Sequence, residues 1–277
     1  MTTIIDGKKI ADKITEQLKQ KTSKLNIKPH LAVIQVGNNE ASTIYVNLKK
    51  KKAEEIGIQS TIIKFDDIIS EENLIKEIEK LNNDKSVHAI LVQLPLPKHI
   101  CSDNIIKAIS PKKDVDGFTA QNSGDLLNGL IPMTYPCTPK GVMRLLQEYN
   151  INIEGKHAVI VGRSNIVGKP LAIMLLNRNA TVTICHSKTK NLKEFTKQAD
   201  ILVSAVGKKI IFKDMVKKDA VVIDVGIFKD EKGKTTGDVD FDNVKDITSY
   251  ITPVPKGVGP MTIAMLMENT IELFEKR

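Results

Sequence analysis

The stretch Val159-Ile160-Val161-Gly162-Arg163-Ser164-Asn165-Ile166-Val167-Gly168-Lys169-Pro170 constrains this chain more than any other. An apolar β-branched run ends at one glycine, and a second glycine stands just before a stretch with helical spacing. The pattern predicts a short buried strand, a tight turn and the first turn of a helix. Glycines at 162 and 168 let the backbone approach a ligand closely. The unpaired N–H groups of the helix start, at the positive end of its dipole, suit a pyrophosphate. The spacing Gly-x-Ser-x-x-x-Gly departs from the usual G-x-G-x-x-G, so an ordinary strand-to-helix turn is the competing reading.

The rest of the chain repeats the strand–helix theme. Ile10, Ile14 and Leu18 recur at helical spacing within 7–25. Apolar runs at 30–36, 60–65 and 87–94 predict strands, with helices at 41–56 (Ser42 or Thr43 as cap) and 70–81 (Ser70 as cap) between them. Between 110 and 139 the pattern loosens under Pro111, Gly117, Gly124, Gly129, Pro132, Pro136 and Pro139, as in a linker or cleft wall. Alternation resumes with helix 141–149, strand 157–161, helix 168–177, strand 181–185, a helix near 192–197, strands 201–206 and 220–225, and a closing helix 261–275. Strands alternating with helices imply an α/β fold with parallel sheets. The expected organisation is two-domain: residues 1–139, completed by 258–277, and a Rossmann-like dinucleotide domain over 140–257, with the active-site cleft between them.

Composition narrows the function. At 277 residues the chain is long enough for two domains or one large one, and 41% hydrophobic with 27% charged is the composition of an ordinary water-soluble globular protein. Its longest apolar runs are strand-sized, and the first residues lack the pattern of a secretory signal, so neither a membrane nor export is expected. Cys101, Cys137 and Cys185 are odd in number and widely spaced, which argues against a disulfide framework or zinc site and for the cytoplasm. The net charge of +8 comes almost wholly from lysine, since Arg144, Arg163, Arg178 and Arg277 are the only arginines. With 4% aromatics and no tryptophan, the chemistry of nucleic-acid recognition is thin. A lysine-rich surface would still draw in a polyanionic small molecule.

The cofactor half carries a further signal. A dinucleotide domain that takes NAD places an acid roughly 20 residues after the turn, on the ribose hydroxyl. Here Cys185-His186-Ser187-Lys188 ends the next strand with no acid until Glu194, and Arg163 lies in the turn itself. That favours the 2′-phosphate of NADP, against the plainer reading of Ser187 as a turn cap. Strand ends at Ala205-Val206-Gly207 and Asp224-Val225-Gly226 point to the same crevice. Ser164 and His186 lack the nucleophile elbow of a hydrolase.

The other half must then hold the chemistry. Tyr45 and Lys49 are four residues apart and share a helix face, with Lys52 near it. A neighbouring ammonium disfavours a second positive charge, which would suit Lys49 for proton transfer. The competing reading is a wet lysine surface. Gln93 closes an apolar run and needs hydrogen-bond partners there. Asp114 and Asp116 allow either a metal site, for which further ligands are missing, or an Asp-Gly turn.

Together these residues resemble the bifunctional methylenetetrahydrofolate dehydrogenase/methenyltetrahydrofolate cyclohydrolase family over nearly the whole chain. The resemblance is carried by 42–49 (STIYVNLK), 92–97 (VQLPLP), 113–118 (KDVDGF), 136–139 (PCTP), Gly162-Arg163-Ser164, Cys185-His186-Ser187, 237–240 (GDVD) and 252–262 (TPVPKGVGPMT). It implies an N-terminal folate domain beside the NADP domain. It also implies NADP-dependent oxidation of 5,10-methylenetetrahydrofolate and hydrolysis of the methenyl product to 10-formyltetrahydrofolate, within one-carbon metabolism. Carried over, Lys49 is the hydrolytic acid/base, Gln93 bonds it, Tyr45 borders the folate and Asp116 grips the pterin edge. Val92, Leu94, Pro255, Gly257 and Gly259 complete the substrate site. Gly162, Arg163, Ser164, Gly168, Ser187 and Ile227 bind NADP, and no metal is implied. A homodimer and a folate with a polyglutamate tail are also implied. A dehydrogenase with weak hydrolysis and a non-enzymatic dinucleotide-binding regulator are the alternatives. Retention of Tyr45, Lys49, Gln93 and Asp116 argues against the regulator. Three positions depart from the family pattern: Lys256 and Phe228 stand where Gly and Asn are usual, and Glu40 replaces a usual Pro. Lys256 bears most on the loop, because Gly accepts positive φ at little cost and Lys does not.

Overall fold

The computed structural model describes residues 1–276; Arg277, the last residue of the expected 258–277 segment, lies outside them. A short β1 (Thr3–Ile4) and α1 (Gly7–Thr22) precede β2 (His30–Val36), α2 (Glu40–Ile56), β3 (Gln59–Phe65), α3 (Glu71–Asn83) and β4 (Ala89–Val92). Helices α4 (Ser102–Ala108), α5 (Ala120–Leu127) and α6 (Cys137–Glu148) follow. Alternation then returns through β5 (His157–Val161), α7 (Gly168–Leu176), β6 (Thr181–Cys185), α8 (Leu192–Thr196), β7 (Ile201–Ser204) and β8 (Val221–Asp224). The hairpin β9 (Phe228–Lys229) and β10 (Thr235–Thr236), α9 (Phe241–Val244), β11 (Tyr250–Ile251) and α10 (Val258–Glu275) complete the order.

These elements form two compact units. One contains Lys13–Cys137 and the chain from Ile263 onward; the other contains Met1–Asp12 and Thr138–Thr262. The first twelve residues, expected with the first half, belong to the second unit because β1 pairs in parallel with β11, and Ile5 N–H donates to the Ile251 carbonyl at 2.8 Å. Val258–Thr262, expected with the first domain, likewise group with the second unit.

The first unit holds a parallel sheet of order β3-β2-β4. All seven residues of β2 are buried, so the run His-Leu-Ala-Val-Ile-Gln-Val is continuous rather than alternating. Ile34, Leu74, Ile78, Ile90 and Ile105 build the core on one face. Ser70 caps α3 as its sequence predicts, its hydroxyl accepting the Asn73 N–H at 3.2 Å. Because β2 is central, with β3 and β4 on opposite sides, the strand order reverses at its carboxyl end.

The second unit is built on a six-stranded parallel sheet of order β1-β11-β8-β7-β5-β6. Val159, Val161, Leu202, Val222 and Ile251 are among the residues that pack its core. Strand β5 lies between β6 and β7, so its carboxyl end is also a reversal point, the place where open α/β sheets bind ligands.

Several elements escape their expected bounds. The loosened stretch 110–139 contains α5, and α6 begins at Cys137 rather than 141. Pro139 then falls in a first helical turn, where its missing N–H costs nothing. The two-residue strands β1 and β11 are too short to register as apolar runs. The three cysteines form no disulfide. Among the described residues, no helix is long and apolar enough to cross a membrane.

Candidate active site

Helix α2 leaves the carboxyl end of β2 and carries the lysine run. Its cap is Asn39, whose Oδ1 accepts the Ser42 N–H at 2.9 Å, rather than Ser42 or Thr43. Thr43 instead accepts from buried Gln35 Nε2 at 2.7 Å, tying the first turn of α2 to β2. Glu40 opens the helix, where the positive dipole end suits an acid. Tyr45 is 40% exposed, and Lys49 lies one turn further on, half-buried. Lys49 Nζ donates to Gln93 Oε1 at 2.9 Å. Gln93 in turn donates from Nε2 to the Leu94 carbonyl at 2.6 Å, and its backbone N–H donates to the Ile34 carbonyl at 2.8 Å. The side-chain amide is therefore held with its oxygen turned to the ammonium. Lys52, expected near the Lys49 face, pairs with Glu55 at 2.8 Å. Val92 is buried within β4, so its side chain serves the core, while Leu94 is half-buried just after it.

The segment 113–119 separates its two aspartates by role. Asp114 is buried and accepts from the Gly117 N–H at 2.9 Å, the Thr119 N–H at 2.8 Å and Asn122 Nδ2 at 2.8 Å. This is turn chemistry, and among the described residues no group of three His, Cys, Asp or Glu side chains could hold a metal ion. Asp116 is left for the site. Burial raises its carboxyl to about 6 and Asp114 adds to the rise, while the Lys49 charge and the Cys137 thiol oppose it. The thiol lies 3.7 Å from Asp116 Oδ1. Asn269 of α10, fully buried, donates to the carbonyls of Val115 and Tyr135, each at 2.9 Å, and to Cys137 Sγ at 3.5 Å. It braces both chain segments around Asp116. The sequence hides this residue, because an asparagine inside an apolar helix signals a hydrogen-bonded position without naming the partner.

In the second unit the Gly162 turn stands at the carboxyl end of β5. Gly162 has φ +127°, and a Cβ there would lie 2.5 Å from the Ala205 carbonyl oxygen; one on Gly168 would lie 2.2 Å from the Gly162 oxygen. The turn thus folds on itself too tightly for any side chain. Arg163 and Ser164 are exposed beside it. Ser164 Oγ accepts from Val167 N–H at 3.2 Å and Gly168 N–H at 3.3 Å. Two amides expected to face a pyrophosphate are therefore engaged, and the serine O–H remains as a donor in their place. Ser187 is exposed after β6, in a loop where His186 Nδ1 accepts the Lys188 N–H at 3.1 Å. Ile227 is 50% exposed after β8. No carboxylate stands at the end of β6, and an exposed guanidinium lies in the turn, so the residues fit a dinucleotide carrying a 2′-phosphate.

Pro255, Gly257 and Gly259, expected against the substrate, belong to this second unit, whereas Tyr45, Lys49, Val92, Gln93, Leu94 and Asp116 belong to the first. Pro255 and Gly259 are exposed; Gly257 is buried, with its Cβ position 2.4 Å from the Pro253 oxygen. Lys256 between them has φ +82°, and its carbonyl accepts the Lys8 N–H at 2.9 Å. The loop keeps its left-handed residue although the glycine is missing. Phe228 pairs with Thr236 in the β9–β10 hairpin.

Comparison with known proteins gives a consistent picture. Residues 5–116 match the family model described as tetrahydrofolate dehydrogenase/cyclohydrolase, catalytic domain, and residues 136–277 match the NAD(P)-binding domain of the same name. A relative from Bacillus cytotoxicus, "Bifunctional protein FolD", is 56% identical over 98% of this chain and 96% of its own. The crystal structure of the bifunctional FolD enzyme from Campylobacter jejuni is 52% identical, covers 100% of both chains and has a TM-score of 0.98. The Trypanosoma brucei dehydrogenase-cyclohydrolase, complexed with NADP and an inhibitor, is 36% identical, covers 99% of this chain and 98% of its own, and has a TM-score of 0.95.

The strained Lys256 makes a direct prediction. A non-glycine residue at such φ costs more than the chain entropy that glycine loses on folding, so Lys256→Gly should stabilise the protein by about 1 kcal/mol. Urea unfolding measures it; an unchanged or lowered stability would contradict the strain.

Proposed function

The chain belongs to the tetrahydrofolate dehydrogenase/cyclohydrolase family, and on that premise we propose how its residues divide two reactions. The protein oxidises 5,10-methylenetetrahydrofolate to the methenyl form with NADP, then hydrolyses that product to 10-formyltetrahydrofolate. The observation that carries the reading is the Lys49–Gln93 hydrogen bond beside Asp116, a set that cofactor binding alone does not require.

When bound, NADP supplies the hydride acceptor. Arg163 and Ser187 would hold its 2′-phosphate, the Ser164 hydroxyl would donate to its phosphates, and Gly162, Gly168 and Ile227 would shape the backbone that receives it. Hydride loss from the methylene carbon needs no protein base, because the lone pair of the adjacent substrate nitrogen forms the new C=N bond. The protein contributes position.

Hydrolysis does need proton transfer. Lys49 takes a proton from water as the oxygen bonds to the methenyl carbon. It returns a proton to N5 as the carbon–N5 bond breaks, leaving the formyl group on N10. The net products are 10-formyltetrahydrofolate and one proton. Gln93 Oε1 accepts from Lys49 throughout and aims Nζ at the reacting carbon. Tyr45 offers its ring to the folate. Asp116, ionised, accepts N–H donors of the pterin edge, and Val92 and Leu94 carry the strand end that fixes Gln93. Working as a cytoplasmic homodimer, the enzyme takes folates with polyglutamate tails, which the lysine-rich surface attracts.

Two measurements test the assignment. With methylenetetrahydrofolate, kcat/KM for NADP should exceed that for NAD, and Arg163→Ala should erase most of the difference; equal use of both nucleotides by the unaltered enzyme would overturn the reading of Arg163 and Ser187. Burial pushes the Asp116 carboxyl up to about 6, so folate kcat/KM should fall as pH drops below that value and the carboxylate gains its proton. Asp116→Asn should be weaker at neutral pH and lack that acid limb; an unchanged limb in the variant would remove Asp116 from the site.

A further inference from the structure

Behind the cofactor loops lie two buried carboxylates that neither half-reaction uses. Asp238 is fully buried, and Asp224 at the end of β8 is 3% exposed. Asp238 Oδ2 accepts from the Ser204 hydroxyl at 2.9 Å and the Val206 N–H at 2.7 Å, and its Oδ1 accepts the Lys208 N–H at 2.8 Å. It therefore clamps the segment after β7 from inside. Asp224 Oδ1 accepts the N–H groups of Gly226 at 3.0 Å and Asp238 at 2.9 Å, and its Oδ2 accepts the Val239 N–H at 2.9 Å. The backbone N–H of Asp224 donates to Thr252 Oγ1 at 2.7 Å, just ahead of the Pro253–Gly257 loop.

The packing is reciprocal. A Cβ on Gly226 would lie 1.9 Å from Asp238 Oδ1, and one on Gly237 would lie 2.1 Å from Asp224 Oδ2. Each carboxylate thus occupies the space that a side chain on the other's segment would need. Burying two acids so close is costly, and Asp224 is pushed up to about 7 by that burial. An apolar filling would avoid burying charge but would leave the N–H groups of Val206, Lys208, Gly226, Asp238 and Val239 without acceptors. What carboxylates provide, and apolar groups cannot, is several fixed acceptors for backbone N–H groups that turn away from the sheet at its ligand-binding edge.

We propose that Asp224 and Asp238 are positioning residues for the nicotinamide cofactor: one buried pair sets the loops after β7 and β8 together, so that 206–208 and 226–227 present a preformed backbone surface to NADP. The proposal rests on the NADP reading above. It predicts a split that a general loss of structure would not produce, because hydrolysis of methenyltetrahydrofolate requires no nucleotide.

The test measures both half-reactions in Asp238→Asn and in the milder Ser204→Ala, alongside the unaltered enzyme. An asparagine turns one acceptor into a donor facing the loop amides, so Asp238→Asn should raise KM for NADP by about tenfold to a hundredfold. The kcat/KM for hydrolysis of added methenyltetrahydrofolate should change by less than about twofold, because the Asp238 side chain bonds Ser204, Val206 and Lys208 and none of Lys49, Gln93 or Asp116. Ser204→Ala should show the same split at about threefold in KM, as for loss of one modest hydrogen bond. A parallel fall in both activities, or no rise in KM for NADP, would overturn the proposal. If Asp238→Asn fails to fold, Ser204→Ala decides by the same criteria. Failure of the unaltered enzyme to use NADP at all would instead refute the underlying function.

Discussion

A parallel strand at which the order of the sheet reverses leaves an open seat at its carboxyl end, because the connections that leave the sheet there diverge. This chain has two such strands. Strand β2 lies between β3 and β4, and β5 lies between β6 and β7. From the first seat rises the lysine helix, with Gln93 closing the neighbouring strand. From the second rises the glycine turn and α7. The candidate functional groups of each unit gather at these strand ends.

The division of labour follows from chemistry as much as from topology. Hydride loss is driven by the substrate's own nitrogen, so one unit needs only to hold a dinucleotide in place. Hydrolysis requires a group that both takes and returns a proton, and the other unit holds the Lys49 side chain in a defined position. The Gln93 amide, anchored through the Leu94 carbonyl, keeps Lys49 from wandering as surface lysines do. Asp116, braced by Cys137 and by Asn269 through its neighbours, keeps a charge near that amine. A buried carboxylate recurs in the second unit, where Asp224 and Asp238 fix backbone N–H groups.

Much of this could be read from residue order. The buried runs of β2 and β5, the Ser70 cap and the Gly162 turn are local signals, and the structure places them where the pattern predicts. The Lys49–Gln93 pairing is non-local: the polar residue ending an apolar run marked only the need for a partner, and the family resemblance supplied Lys49. Other features were hidden for physical reasons. Ser42 and Thr43 looked like caps, but Asn39 takes that role and frees Thr43 for Gln35. Lys52 shares a helix face with Lys49 in principle, but an acid three residues on captures it. Asp114 and Asp116 are indistinguishable by composition, and only the fold shows that one closes a turn while the other remains available. Helix α5 has a weak local signal amid glycines and prolines, and β1 joins a sheet whose other strands lie far along the chain.

The central claim is that Lys49 performs hydrolysis and is not needed for oxidation. The most direct measurement follows the absorbance of the methenyl intermediate after mixing methylenetetrahydrofolate and NADP with the unaltered enzyme or with Lys49→Met. The variant should still reduce NADP while the intermediate accumulates stoichiometrically with NADPH, and the unaltered enzyme should carry it through to 10-formyltetrahydrofolate. Undiminished conversion of the intermediate by Lys49→Met would contradict the account.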